Sequence, residues 1–229
     1  MSSQDQKPGA KRILLVDDHP VVRDGLGVSI NLEPDLFVCA VAEDRPEALT
    51  AIETAKPDLA VVDLTLKSSS GFELIKDITA RWPSLPTLVV SMHDESLYAE
   101  RALRAGAKGY ITKQQATRDI VTAIRRVLSG NIYLNERTAS NVISKLASHP
   151  QAVGDSITDG LTDRELQVFE LTGLGLSTRD IAERLRIDTK TVDTYRTRIK
   201  DKLNLKNSHE ILQLAIRWNQ GRGGAGAAQ

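Results

Sequence analysis

Between Lys11 and Ser129, short and almost wholly apolar runs alternate with longer amphipathic stretches, and this alternation constrains the fold more than any other feature. Ile13-Leu14-Leu15-Val16, Phe37–Ala42, Leu59–Val62, Thr87–Val90 and Gly109–Thr112 read as strands. Between them Pro20–Leu32, Pro46–Ala55, Phe72–Arg81 and Leu97–Ala105 read as helices. A last helix, with Thr117 as its cap, runs to about Leu128 and stops at Gly130. Strands this apolar must be covered on both faces, which a parallel sheet between two layers of helices achieves. The pattern predicts a doubly wound α/β domain over residues 11–130, with five parallel strands in the order 2-1-3-4-5. Its cleft is expected outside the carboxyl ends of the strands.

The rest of the chain follows a different pattern. Asn131–Ala147 reads as a linker helix, and His149–Gly160 is rich in turn formers without periodicity, so residues 131–157 are expected to tether two domains. Residues 158–219 read as a small all-helical domain with breaks near Gly173–Gly175, Arg186–Asp188 and Asn204–Asn207. Residues 220–229, Gly- and Ala-rich, read as a disordered tail. A content of 41% hydrophobic and 26% charged residues is that of a soluble globular chain. The single cysteine, Cys39, lies in an apolar run and has no partner for a disulfide. Met1–Ala10 has no apolar core, and no later run is long enough to span a bilayer. Together these predict a cytoplasmic protein without membrane partners.

Three carboxylates fall at strand ends: Asp17 and Asp18 after the first strand, Asp63 after the third. In a 2-1-3-4-5 sheet these strands are neighbours, so the carboxylates converge and need a cation to offset their repulsion. A cluster of hard oxygen ligands suits Mg²⁺. Ser91 ends the fourth strand and Lys113 follows the fifth, which brings a hydroxyl and an ammonium to the same rim. These are the parts for forming an aspartyl phosphate. The stretches Ile13-Leu-Leu-Val-Asp-Asp18, Val62-Asp63-Leu64 with Gly71 eight residues on, Ser91 and Lys108-Gly-Tyr-Ile-Thr-Lys113 resemble the flavodoxin-like receiver domain of two-component response regulators. The resemblance implies that Asp63 is the phosphoacceptor and that Asp17, Asp18 and Asp63 hold Mg²⁺ with the backbone carbonyl of Thr65. It also implies that Ser91 and Tyr110 form a switch pair and that Lys113 is the cationic phosphate contact. Lys67 stands where such receivers commonly carry proline, and His93, two residues past Ser91, is expected to be solvated.

The acidic and basic residues of the whole chain balance, at 30 each. Residues 1–157 carry 18 basic against 20 acidic residues, whereas Ser177–Lys206 carries 9 against 5. A local excess of that size fits a small contact surface for nucleic acid. Thr162 with Glu165 forms a capping box at the head of one helix, Ser177 caps a second, and Asp188 or Thr189 caps a third. In the third, Val192, Tyr195, Ile199 and Leu203 are expected to pack inward. That leaves Lys190, Asp193, Thr194, Thr197 and Lys200 facing out, flanked by Arg196 and Arg198. A helix pair across a tight turn, the second with an outward polar stripe, suits a major groove. LTDRE at 161–165, the glycines at 173 and 175, STRDIAERL and KTVDTYRTRIKDKLNL resemble the LuxR-type output domain. With the receiver, this is similar to the NarL/FixJ subfamily. By that resemblance Asp193, Thr194 and Thr197 face bases, and Lys190, Arg196, Arg198 and Lys200 lie near phosphates.

The expected activity is therefore regulatory rather than enzymatic: a histidine kinase phosphorylates Asp63 and so controls sequence-specific binding to double-stranded DNA. RNA polymerase is a candidate further partner. A phosphorylation-linked homodimer is expected, with Ile211, Leu212, Ala215 and Trp218 of the last helix as either dimer surface or core. Two other readings compete. One is a phosphate-independent DNA-binding regulator that uses its receiver only to dimerise. The other is an aspartate-nucleophile phosphatase, which would need a second aspartate where Thr65 stands.

Overall fold

The computed structural model describes residues 9–140 except Ser68, and residues 157–223 except Asp159. The chain divides into two compact units, Met1–Ser148 and His149–Gln229.

In the first unit the strands are β1 (Lys11–Val16), β2 (Leu36–Ala42), β3 (Leu59–Val62), β4 (Thr87–Ser91) and β5 (Gly109–Thr112). They form one sheet in the order β2-β1-β3-β4-β5, and every neighbouring pair is parallel, as the alternation predicts. The helices are α1 (Pro20–Asn31), α2 (Arg45–Ala55), α3 (Gly71–Arg81), α4 (Glu95–Ala105) and α5 (Lys113–Leu128). Ile13, Leu15, Leu59, Val61, Leu88 and Val90 pack with Ile120, Ile124 and Val127 of α5 into one core. Burial of such side chains contributes on the order of 2 kcal/mol each. Val16 pairs with Val62 across β1 and β3, so the residues that follow them leave the sheet side by side.

Helix α5 starts one residue after β5, capped by Thr112 in a capping box with Gln115, and not by Thr117. The box satisfies two amide donors at once, whereas Thr117 lies a turn inside and its hydroxyl donates to the Lys113 carbonyl at 3.5 Å. Residues 131–135, expected in the linker helix, run beside β5 instead. Tyr110 N–H donates to the Tyr133 carbonyl at 2.9 Å, and Tyr133 N–H donates to the Lys108 carbonyl at 3.0 Å. β5 is an edge strand, and its free amide and carbonyl groups take up the segment. Helix begins only at residue 136, and residues 136–140 are helical. The rest of the expected linker helix, and residues 149–156 of the expected tether, lie outside the described residues.

The second unit comprises α6 (Asp163–Gly173), α7 (Thr178–Leu185), α8 (Thr189–Lys202) and α9 (Ser208–Gly223). The end of the expected tether belongs to it: Thr158 is buried, and its carbonyl accepts the Leu161 N–H at 3.0 Å. Thr162 with Glu165 and Ser177 with Asp180 form capping boxes on α6 and α7. Leu166, Phe169, Ile181, Leu185, Val192, Ile199, Ile211 and Ala215 are buried in its core. α9 lies so close to α6 that a Cβ on Gly173 would meet the Ala215 carbonyl. Ile211 and Ala215 are thus core rather than dimer surface, and Trp218, half-buried, packs against Phe169 with ring centroids 5.5 Å apart and planes tilted by 60°. Residues 220–223, expected in the tail, continue α9. Through Gly223 the helix continues, since a glycine costs only about 1 kcal/mol in a helix interior. Residues 224–229 lie outside the described residues. No helix among the described residues is long and apolar enough to cross a membrane.

Candidate functional site

Asp17, Asp18 and Asp63 emerge together from the ends of β1 and β3 and are only 4%, 5% and 3% exposed. Asp63 is held there by its own backbone, whose N–H donates to the Val16 carbonyl at 2.8 Å. The capping box that starts α5 at Lys113 aims this side chain back over the sheet. Its Nζ lies 2.7 Å from Asp17 Oδ2 and 2.7 Å from Asp63 Oδ2. Burial, with repulsion from Asp17, pushes the Asp63 carboxyl up to about 6 against the lowering effect of Lys113. Burial also disfavours the Lys113 ammonium, but the Asp63 and Asp17 carboxylates outweigh it, and the lysine is held above its ordinary value. Three buried carboxylates thus face one buried ammonium.

His19, not among the expected site residues, joins this group. Its Nδ1 lies 2.7 Å from Asp18 Oδ1 and 3.2 Å from Asp17 Oδ1. Its position directly after the Asp-Asp pair was the available signal. One ligand atom from each of Asp17, Asp18, His19 and Asp63 can be chosen so that all lie within 4.8 Å of one another. Hard oxygen donors predominate, and their charge is only partly offset by Lys113, so the set fits a hard divalent cation.

Around this centre the rim is tied together. Thr65 N–H donates to Asp63 Oδ1 at 3.3 Å. His93 is not solvated as expected: it is half-buried, with Nε2 3.2 Å from Thr65 Oγ1 and its ring 4.6 Å from that of Tyr98. Its N–H donates to Ser91 Oγ at 3.3 Å, and its carbonyl accepts the Tyr110 hydroxyl at 3.0 Å. Tyr110 is fully buried, which raises its pKa well above the ordinary phenol value against the lowering effect of the neighbouring Ser91 hydroxyl. Gly71 has a steric role, since a Cβ there would fall on the Asp63 carbonyl oxygen. Lys67, in the position of the common proline, lies 3.5 Å from Glu43 on the surface.

In the second unit α7, the turn at 186–188 and α8 make a helix-turn-helix. Arg186 takes the left-handed conformation (φ 52°) that ends α7. Asp188 occupies the N-cap position of α8, but its side chain makes no capping bond. Val192 and Ile199 are buried as predicted, while Tyr195 and Leu203 are half-buried. Lys190, Asp193, Thr194, Thr197 and Arg198 are exposed, and Lys200 is half-buried. Arg196 is not a free flanking group: its Nη1 donates to Thr178 Oγ1 of α7 at 2.7 Å. The sequence reading also missed Lys202, whose Nζ donates to the buried Glu165 at 2.7 Å and ties α8 to the start of α6.

A parallel sheet with an acidic centre at its carboxyl ends, followed by a helix-turn-helix unit, defines a receiver joined to a DNA-binding output domain. Residues 13–125 match the family model for the response regulator receiver domain, and residues 159–215 match that for bacterial regulatory proteins of the luxR family. The oxygen regulatory protein NreC of Staphylococcus haemolyticus (strain JCSC1435) is 32% identical over 210 residues, covering 90% of this chain and 97% of its own. A LuxR-family two-component response regulator from Aurantimonas sp. SI85-9A1 is 34% identical with a TM-score of 0.56, over 61% of this chain and 99% of its own. RcsB of Salmonella enterica serovar Typhimurium, solved bound to promoter rprA with the phosphomimetic BeF3−, shares the fold at 23% identity and a TM-score of 0.57. That match covers 89% of this chain and 97% of the RcsB chain. The chain belongs to the NarL/FixJ family of two-component response regulators, which control transcription by binding DNA.

Proposed function

We propose that Asp63 is the phosphoacceptor of this regulator and that a sensor histidine kinase supplies the phosphoryl group. The observation that carries this reading is a buried carboxylate bonded to Lys113 at 2.7 Å and flanked by Asp17, which the same ammonium also holds at 2.7 Å. A carboxylate oxygen of Asp63 attacks phosphorus, the P–N bond of a phosphohistidine breaks, and its electron pair returns to the imidazole. Lys113 then faces the phosphoryl oxygens, and the Ser91 hydroxyl donates to one of them. Asp17, Asp18 and Asp63, with the Thr65 carbonyl, would hold Mg²⁺, which offsets the anionic charge when bound.

Helix α8 carries the DNA contacts. The Thr194 and Thr197 hydroxyls donate to the Lys190 and Asp193 carbonyls at 2.9 and 3.0 Å. Toward a base they therefore present lone pairs, which accept from adenine or cytosine amino groups. The Asp193 carboxylate, exposed and without a hydrogen-bond or ion-pair partner among the described residues, accepts from cytosine in the same way. Lys190, Arg198, Lys200 and the remaining donors of Arg196 contact phosphates.

The assignment of Asp63 is tested by weighing the intact chain after incubation with acetyl phosphate and Mg²⁺. The wild type gains one phosphoryl group and Asp63→Asn gains none; an equal gain in both overturns the assignment.

A further inference from the structure

Glu95, the first residue of α4, is buried, and among the described residues no cation pairs with it. Its two oxygens instead accept from one distant residue. Asn135 N–H donates to Oε1 at 2.8 Å, and Asn135 Nδ2 donates to Oε2 at 2.5 Å. Asn135 is in turn the residue on which the next helix starts. Its Oδ1 accepts the Thr138 N–H at 2.8 Å, and its carbonyl accepts the Ala139 N–H at 2.9 Å. That helix opens the segment through which the chain runs on to its DNA-binding unit.

Two residues before Glu95, His93 is tied to the acidic centre by Ser91, Tyr110 and Thr65. Ser91 Oγ accepts the His93 N–H at 3.3 Å and so helps hold the loop that leads into α4. Turning Ser91 toward a phosphoryl oxygen on Asp63 takes its Oγ away from the His93 N–H and leaves His93 held by the Tyr110 hydroxyl on its carbonyl. The short loop between His93 and α4 then loses part of its anchorage. A two-point bond at these distances does not follow a displaced Glu95, and a half-satisfied buried carboxylate is costly, so the bond is kept or lost as a unit.

We infer that Glu95 and Asn135 are a positioning pair through which a phosphoryl group at Asp63 loosens the first turn of the helix that leaves the receiver. This rests on the reading of Asp63 as the phosphorylated side chain.

Amide hydrogen exchange of the full chain, with and without acetyl phosphate and Mg²⁺, tests it. In the wild type, exchange at Thr138 and Ala139 speeds up at least about fivefold once the phosphoryl mass is present, the low end of ordinary coupling between sites. In Glu95→Ala the same amides exchange fast from the start and do not respond to acetyl phosphate, although the chain takes up phosphate like the wild type. Glu95→Gln keeps one oxygen for the Asn135 N–H and gives an intermediate response. A bond with only a structural role would also speed exchange in Glu95→Ala, but it would leave the wild-type amides unresponsive. Unchanged or slower wild-type exchange on a chain carrying the phosphoryl mass overturns the inference, as does a response in Asp63→Asn. A wild type that takes up no phosphoryl group overturns the Asp63 reading first, and the inference falls with it.

Discussion

Asp63 pays a desolvation penalty that a solvated aspartate does not. Its carboxyl titrates near 6 instead of 3.8, chiefly because it is buried. A raised acid pKa means that the folded state binds the proton more tightly than the unfolded state. Stability from this group is therefore greatest below the unfolded value and is lost as pH rises through the folded one. In EDTA, the wild type should lose about 1 kcal/mol more stability than Asp63→Asn between pH 5 and pH 7. Urea unfolding of both proteins at the two pH values measures this. Identical pH dependence would show that the Asp63 carboxylate is not strained by burial. Lys113 prevents a larger penalty, and its contacts with Asp17 and Asp63 explain why one lysine at the end of β5 stands among so many acids.

At the level of elements, glycines show how differently one residue type is used. Gly71 begins α3 directly beneath Asp63, and its missing Cβ is what lets the helix approach the strand end. Gly25 lies within α1 with nothing near the position of a Cβ. The same substitution should have opposite effects. Gly71→Ala should destabilise by about 2 kcal/mol, because the clash is with backbone that cannot step aside. Gly25→Ala should stabilise by about 0.5–1 kcal/mol, through backbone entropy alone. Denaturant midpoints of the two variants decide, and a neutral Gly71→Ala would mean that the β3–α3 connection yields easily. β2 shows a different accommodation. The β1–β2 register skips Cys39, which is bulged and half-buried, and burial pushes its thiol pKa up.

Across the whole molecule, the charges balance overall while Ser177–Lys206 carries 9 basic against 5 acidic residues. One helix-turn-helix with that excess neutralises few phosphates, so tight binding calls for two copies on half-sites about one helical turn apart. Leu212 and Trp218 are the residues of the expected α9 surface that stay half-exposed. The phosphorylated chain should sediment on its target DNA as a dimer. On that DNA, Asp193→Ala should relax preference at one base pair per half-site by roughly 1–3 kcal/mol. A tightly bound monomer would remove the need for a partner copy, and uniform tightening by Asp193→Ala across all base variants would mean that Asp193 only repels phosphate.

What the sequence determined by itself was whatever depends on a few neighbouring residues. Apolar runs gave the strands and their parallel order, which put Asp17, Asp18, Asp63, Ser91 and Lys113 at strand ends. Thr162-x-x-Glu165 and Ser177 marked the starts of α6 and α7. Tertiary structure decided where faces meet. The sequence reading sent His93 into water, but Tyr98 and Thr65, which hold it, arrive from other elements. Residues 131–135 carry a helical pattern, yet an edge strand with unpaired amides holds them extended. Glu95 and Asn135 are 40 residues apart, as Glu165 and Lys202 are 37 apart. Propensity acts over a turn or two of chain, whereas a buried polar pair exists only where packing has already brought two segments together and removed the water that would otherwise satisfy them.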